Sequence, residues 1–340
     1  MNRRSVTLIM VIVGVIAAVY AITWWQRSRE TQRLLEDLSS GDHFVATKAI
    51  TGLRERAPAI KEELLQRLRG GDVHVRWRAA MLLRYAGGAD VRDALVTALS
   101  DGYPDVRLNA ALSLGMLQAR RAIPDIARLA GNADEEVAVR AAAVRALAML
   151  RAGDQLRLVS DLAADRPPLP PPPPAEGEEA VEVPPDTLGP VRQAAVRALP
   201  ILAAVAQEAA GPLAETTEAP EAAEPGTAPA PPAGPALETV EILAASASAL
   251  QEPNVSVRQA ACYALGDLAT LVAHSRVLSR ALRSLVDASE DEASDVRIAA
   301  VYPLRLLPVP PELAPAVEQV MEAAVNDDHY WVRLAAEEEI

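Results

Sequence analysis

Small and apolar residues recur at helical spacing along most of this chain, each time just after the dipeptide Val-Arg. In one copy, an apolar i, i+4, i+7, i+8 stripe runs from Val75 to Leu83, which is typical of an amphipathic helix. Gly87 and Gly88 then indicate a turn, and residues 91–99 predict a return helix. The pattern therefore predicts helical hairpins.

The hairpin pattern repeats along the chain. Val-Arg copies begin at Val75, Val106, Val139, Val191, Val257, Val296 and Val332, and the first two intervals are 31 and 33 residues. A period in the low thirties indicates a helical solenoid, because one hairpin cannot bury its own apolar face and must stack on a neighbour. A degenerate unit beginning at Gly41 precedes these copies. We therefore expect an all-α solenoid of about eight helical-hairpin repeats.

Changes in composition predict the domain boundaries. We expect an N-terminal tail at 1–4, a transmembrane anchor at 5–25, a juxtamembrane helix at 26–40, repeats 1–4 at 41–165, a Pro-rich acidic insertion at 166–189, and repeats 5–8 at 190–340, interrupted by a disordered insertion at 211–234. The first insertion is typical of polyproline II and the second of a disordered loop. Removing both restores a near-regular repeat spacing, so we interpret them as loops grafted onto the solenoid.

The N-terminal segment 5–25 contains no charged residue, and a helix of this length matches a hydrocarbon core of about 30 Å. Trp24 and Trp25 lie at its end, where aromatic side chains favour the membrane interface. A cleaved signal peptide is the alternative, but its apolar core would span about 7–15 residues. We therefore expect a single-pass membrane protein that contacts lipid through 5–25. The two arginines of the N-terminal tail favour a solenoid on the outer, periplasmic face.

Charge and composition narrow the possible partners. The net charge is −13, of which −5 lies in 165–190 and −7 in 207–241, so the helical units are nearly neutral. A basic footprint for nucleic acid is absent, and we expect no nucleic-acid partner. Lysine occurs at two positions against many arginines, which we interpret as a GC-rich, bacterial genome and hence a bacterial inner membrane.

A shared motif, Asp-x4-Val-Arg-x2-Ala-Ala-x-Ala-Leu, recurs in the units, for example at Asp101, Val106, Arg107 and Ala110. It resembles the short HEAT-like repeats described from phycobilin lyases, over roughly 41–340 apart from the insertions. The resemblance implies a helical repeat scaffold and, with the N-terminal segment, a membrane-anchored HEAT-repeat protein. It is specific for the fold and not for the function.

Two columns of the motif are candidate site residues. The arginines are Arg76, Arg107, Arg140, Arg192, Arg258, Arg297 and Arg333, and the acids are Asp101, Asp134, Asp186, Asp291 and Asp327. An Asp at this position can cap a helix N-terminus, and each Arg would then bridge to acids or carbonyls of the adjacent unit. A basic stripe for phosphate or an acidic ligand is the alternative. Repetition in register with the cap favours a structural ladder.

Enzymes with this repeat must also be considered. Deoxyhypusine hydroxylases resemble the fold and use His-Glu pairs, but none of His43, His74, His274 and His329 precedes a glutamate. No residues identify a bilin pocket, a phosphate loop or a nucleophile elbow. The single cysteine, Cys262, lies among small residues and is expected to be buried. We expect no catalytic, cofactor-binding or metal residues, and no cofactor.

Two further features could contact partners. The first is a set of aromatic residues, for which we favour helix packing over partner binding: Trp77, Tyr85, Tyr103, Tyr263, Tyr302, Tyr330 and Trp331. The second is Arg166–Pro170, a possible ligand for a proline-binding domain that we interpret as a linker.

The favoured hypothesis is a membrane-tethered scaffold whose solenoid surface binds a protein partner near the bilayer, without catalysis. An enzyme or accessory lyase on the same array, of the bilin lyase or oxidoreductase kind, remains the alternative. A structural spacer is the third possibility. The sequence leaves open the identity of the partner and the oligomeric state.

Overall fold

The structure, a computed structural model, describes residues 3–164, 188–210, 235–271 and 275–337. All regular secondary structure within these ranges is helical, so the all-α prediction is confirmed. The chain divides into two compact units, Met1–Leu117 (unit 1) and Gln118–Ile340 (unit 2). The two predicted insertions lie outside the described ranges, apart from Leu188 and Gly189 at the end of the first.

Unit 1 pairs the helices of successive repeats in two layers. Its helices are α1 (Arg3–Asp37), α2 (His43–Arg54), α3 (Lys61–Gly70), α4 (Val73–Leu83), α5 (Ala89–Ala98) and α6 (Pro104–Met116). We call the helix that carries the repeat motif the A helix and the return helix the B helix. The A helix α4 packs against α2 and α6, the B helices α3 and α5 pack together, and α3–α4 and α5–α6 contacts join the layers.

Unit 2 has the same alternation. Its B helices are α7 (Ile123–Gly131), α9 (Leu156–Ala164), α11 (Pro235–Ser248), α13 (Ser275–Ala288) and α15 (Ala314–Val325), and its A helices are α8 (Val137–Met149), α10 (Gly189–Ala210), α12 (Val255–Leu271), α14 (Ser294–Leu306) and α16 (Tyr330–Ala336). Each A helix contacts the next A helix, and each B helix contacts the next B helix. Contacts between helices two apart in the chain are the sign of stacked hairpins.

The core consists of small and branched side chains from the motif. In α6, for example, Val106, Ala110 and Leu114 are fully buried, and the corresponding residues of α4, α8, α10, α12 and α14 are buried too. Alanine allows neighbouring A helices to approach closely. One close approach in unit 2 joins α12 to α14, where a Cβ added to Gly266 would lie 2.9 Å from Cβ and Cγ of Pro303.

Three successive A helices are followed by a residue in the left-handed region. Gly87 has a φ of 66°, Gln118 of 51° and Arg151 of 53°, and each lies twelve residues after the valine of its motif. A left-handed residue reverses the chain after a helix, and glycine adopts this conformation without a steric cost. The repeat therefore imposes the turn even where the sequence supplies Gln or Arg.

The N-terminal helix contradicts the membrane prediction. Helix α1 is 35 residues long, continues from the apolar stretch at 5–25 into a charged segment, and packs against α2 near the buried Leu35. None of the helices in the described ranges combines the length and apolar character needed to cross a bilayer. The transmembrane anchor, the lipid contact through 5–25 and the inner-membrane location are therefore wrong predictions. The sequence argument treated an uncharged window as a separate span, whereas the structure joins it to a polar, partly packed helix.

Replacing Gly266 with alanine should destabilise unit 2. The added methyl group would collide with the rigid ring of Pro303, and overpacking of this kind costs about 1–3 kcal/mol. This cost exceeds the gain in helix propensity, which is at most about 1 kcal/mol. Urea denaturation of Gly266→Ala measures the loss. Gly70→Ala is the control, because a Cβ there has no atom within 4 Å and should leave the stability almost unchanged.

Candidate functional site

The motif arginine of one repeat binds the motif aspartate of the next. Arg76 Nε and Nη2 donate to the two carboxylate oxygens of Asp101 at 2.9 and 3.0 Å, and Nη1 donates to the carbonyl of Gly71 at 3.0 Å. The side chain therefore joins the loop before α4 to the loop before α6. A bidentate pair with this geometry is among the stronger polar contacts in proteins.

Unit 2 repeats this arrangement twice. Arg258 binds both carboxylate oxygens of Asp291 at 2.8 and 2.9 Å, and Arg297 binds Asp327 at the same distances. Arg258 also donates to the carbonyls of Glu252 and Pro253 in its own loop, each at 2.9 Å. All three arginines share two contacts. Each donates to a carbonyl oxygen in the loop before its own A helix, and each donates to a carboxylate in the loop before the next A helix.

The aspartates of these pairs do not cap the helices directly. Asp101, Asp291 and Asp327 accept a hydrogen bond from the backbone N–H two residues later, at 2.8–3.0 Å, and the helix begins after that residue. They thus close an Asx turn in the loop. Asp72 is a true N-cap, because it accepts from the N–H of Val75 within α4.

The other predicted ladder residues vary in their contacts. Arg107 donates to the carbonyl of Asp101 at 2.7 Å, and the buried Arg140 donates to the carbonyl of Ala130 at 3.2 Å. Arg192 is fully buried and lies 3.4 Å from the carboxylate of Glu252, and Arg333 donates to the carbonyl of Asp327 at 2.6 Å. The side chain of Asp134 has no contact that bears on the ladder, and Asp186 lies outside the described residues. The structural role of these columns remains a proposal.

The ion pairs lower the pKa values of their carboxylates. Donation by Arg297 lowers the pKa of Asp327 to about 2. Burial raises the pKa of Asp291, but hydrogen bonds from Arg258 and from the N–H of Ala293 outweigh it, so the net pKa is lowered. Both aspartates are therefore charged at neutral pH, as a bridge to arginine requires.

Groups with catalytic potential are not brought together in the part of the chain that the structure describes. No three His, Cys, Asp or Glu side chains there could hold a metal ion. His43, His74 and His329 lie at or near the N-termini of different A helices, and His274 lies outside the described residues. Cys262 is buried, as predicted, and burial raises the pKa of its thiol to about 12.

A second candidate site lies on the solvent side of α4 and α6. It consists of six apolar residues, which we call the outer face: Trp77, Met81 and Tyr85 from α4, and Leu108, Leu112 and Met116 from α6. The spacing i, i+4, i+8 places each set of three on one side of its helix, opposite the buried valine and alanines. Five of the six are half-buried and Met116 is 48% exposed. Because α4 and α6 are neighbours, the two stripes form one apolar surface.

Two arginines lie on this outer face. The guanidinium carbon of Arg54 lies 4.7 Å from the ring centroid of Tyr85, which is a cation–π contact. Arg84 Nη1 donates to the sulfur of Met116 at 3.3 Å. Burial lowers the pKa of Arg84, and its Nε is buried without a hydrogen-bond partner.

The A helices of unit 2 carry a more mixed version of this surface. Residues at the two corresponding positions are Arg145 and Met149 on α8, Arg197 and Ile201 on α10, Tyr263 and Asp267 on α12, and Tyr302 and Leu306 on α14, all exposed. On α8, α10 and α12 one of the two residues is charged, and on α14 neither is, whereas the adjacent helices α4 and α6 together present six apolar side chains. We therefore regard the outer face of unit 1 as the better binding surface.

Sequence reasoning missed most of the outer face. Trp77 and Tyr85 were interpreted as packing residues, and Met81, Leu112 and Met116 were not singled out. Tyr103, Tyr330 and Trp331, also expected to pack, are more than half exposed. The available signal was the second apolar stripe, which runs along α4 and α6 on the side away from the buried one.

Comparisons with known proteins support the repeat class. Residues 61–148 and 93–169 match the family model for HEAT repeats in tandem, and 247–272 match the single HEAT repeat. These matches support a HEAT-repeat family for the chain. No curated protein sequence matches it.

Three solved structures align with most of the chain. The X-ray structure of YibA from Escherichia coli aligns with a TM-score of 0.50 and 17% identity, over 84% of each chain. The CpcE–CpcF phycocyanin lyase complex of Nostoc aligns at 0.41 and 19% identity, over 86% of this chain and 94% of that one. Human deoxyhypusine hydroxylase aligns at 0.35 and 20% identity, over 84% and 95%. The similarity to YibA shows an all-helical HEAT-like solenoid, and the two lower scores carry no functional argument.

Removing Arg258 should be strongly destabilising. Arg258→Met leaves the carboxylate of Asp291 partly buried without its cation, a change that typically costs about 3–5 kcal/mol. Equilibrium denaturation measures this loss. Arg283→Met removes an exposed arginine of α13 and should change the stability by less than about 0.5 kcal/mol. Equal effects of the two substitutions would show that the bridge has no particular role.

The stability of unit 2 should fall as the pH is lowered from about 5 towards 2. The pKa of Asp327 is depressed from 3.8 to about 2, so its contribution is complete above 3.8 and disappears below about 2. The contribution at neutral pH is ~2 kcal/mol. Asp327→Asn should therefore be less stable than the wild type at pH 7, and the difference should shrink towards pH 2. Asp287→Asn is the control, since the Asp287 side chain on α13 is exposed and lies away from this ion pair.

Proposed function

We propose that this chain is a helical-repeat scaffold that binds another protein through the outer face of α4 and α6. The carrying observation is the pair of adjacent apolar stripes, whose six side chains remain accessible to solvent. Trp, Tyr and Met are enriched at protein interfaces, and methionine adapts to the shape of a partner. HEAT-repeat proteins commonly bind protein partners, which agrees with this proposal.

The ladder has a supporting role in this proposal. The pair of Arg76 and Asp101 joins the loops that precede α4 and α6. It therefore holds the two helices at a fixed stagger, so that the stripe of α4 lies beside the stripe of α6. A binding surface made from two helices needs such a support, because a shift of one helix would separate its anchor residues.

A glutamate in the centre of the outer face should abolish partner binding. Leu112→Glu places a charge among apolar side chains, and loss of a central interface residue typically costs at least about 2 kcal/mol, or roughly thirtyfold in affinity. The tagged full-length chain, purified from its own cells, should retain one protein in constant ratio, and the variant should lose it. The dissociation constant of the reconstituted pair measures the change.

Val96→Glu is the matched control. Val96 is a half-buried apolar residue of the B helix α5 in the same unit, away from the outer face. This variant should keep the partner, and both variants should show wild-type circular dichroism. If Leu112→Glu retains the partner, or if both variants lose it, the outer face is not the binding surface.

A further inference from the structure

The arginines of unit 1 fall into two groups. Ladder arginines such as Arg76 have a bidentate carboxylate and a carbonyl. Within the described ranges, Arg54 and Arg84 form no ion pair: Arg54 lies over the ring of Tyr85, and Arg84 contacts the sulfur of Met116. Both of these arginines belong to the outer face.

The surroundings of Arg84 make the missing carboxylate costly. Its guanidinium lies between the apolar stripes, Nε is buried without an acceptor, and a thioether sulfur is a weak acceptor. A partly desolvated cation without a counter-charge is unfavourable, and a carboxylate supplied by a partner would remove this penalty. Arg84 thus favours an acidic group in the bound partner.

Arg54 extends the same preference to the edge of the surface. It is exposed and held over Tyr85 at 4.7 Å, so its position is partly fixed before binding. A charged group at the rim mainly improves the association rate and the orientation of a partner. Together, the two arginines place positive charge on both sides of Tyr85, next to apolar side chains on α4 and α6.

We infer that the outer face of α4 and α6 binds an amphipathic helix of a partner protein, with the apolar stripe of that helix on Met81, Leu112 and Met116 and its flanking carboxylates on Arg84 and Arg54. The inference rests on the proposed function and specifies the chemistry of the partner. Helix-in-groove recognition uses apolar residues at i, i+3, i+4 and i+7, which match the length of a stripe that spans i to i+8. The net charge of −13 works against unspecific binding of acidic peptides, so a preference for one would come from the local arginines.

The test uses a fluorescein-labelled amphipathic peptide of about 18 residues, long enough to form a helix. It carries Leu and Met at i, i+3, i+4 and i+7 and glutamates on both flanks, and its twin carries glutamine in place of every glutamate. Anisotropy titrations with the full-length chain should show that the Glu peptide binds about tenfold more tightly than the Gln twin. This preference should decrease as salt is added.

Variants assign the preference to the two arginines. Arg84→Gln and Arg54→Gln should each weaken binding of the Glu peptide several-fold and leave the Gln twin unchanged. Arg69→Gln, which removes an exposed arginine of α3 in the other layer, should leave both peptides unchanged. Arg54 is exposed, so its variant keeps the test valid if Arg84→Gln does not fold.

Several results would overturn the inference. These are equal binding of the two peptides, binding of neither, an equal loss for both peptides in Arg84→Gln, or tighter binding of a single-stranded oligonucleotide that Arg84→Gln abolishes. The outcome is separable from the proposed function. If Leu112→Glu releases the cellular partner while the peptides show no charge preference, the scaffold proposal stands and the acidic-helix inference fails.

Discussion

The bidentate bridge from a motif arginine to the next aspartate is the polar interaction that joins successive loops of the repeats. Each such arginine holds its own loop through carbonyl oxygens and the following loop through a carboxylate, as Arg258 does with Glu252, Pro253 and Asp291. The apolar contacts between A helices involve mainly alanine, valine and leucine, which specify direction poorly. The bridge adds a directional constraint in the loops where it is present, before α4 and α6, α12 and α14, and α14 and α16.

The energetic role of these bridges follows from their burial. A partly buried ion pair adds little net stability over an apolar pair, because desolvation offsets most of the attraction, but breaking it is costly. We propose that its main effect is to disfavour alternative stacking of similar helices. In unit 1, the bridge from Arg76 to Asp101 joins the loops before α4 and α6, the two helices that carry the outer face.

The repeats could be predicted from the sequence because each one contains the same buried apolar residues and a turn at a similar position. The valine of each motif is buried, and the helices alternate as the spacing indicates. The roles of the loop aspartates were harder to predict. Asp101, Asp291 and Asp327 close Asx turns and accept hydrogen bonds from arginines. The preference for aspartate before a helix does not distinguish this arrangement from N-capping. The membrane anchor was wrong because a local window ignored the rest of α1.

The outer face could not be derived from one helix alone. The A helices α4 and α6 have apolar residues on two sides, and periodicity does not indicate which side faces the B layer. Helix α4 packs on α6 and α5, and this packing leaves the sides of the helices that carry Tyr85 and Leu112 accessible to solvent. These two residues are therefore recognised as surface residues only from the packed structure. The unpaired state of Arg84 is likewise a property of the fold, because Asp90 and Asp93 follow it in the sequence and neither forms an ion pair with it.

Cys262 has a practical consequence for the chemistry of the whole molecule. Its thiol is buried in unit 2, with a pKa of about 12, and is the chain's single cysteine. A thiol of this kind stays protonated and unreactive in the native state at neutral pH. The native protein should therefore not react with maleimides. A cysteine introduced at an exposed position can then carry a spectroscopic label without replacement of Cys262.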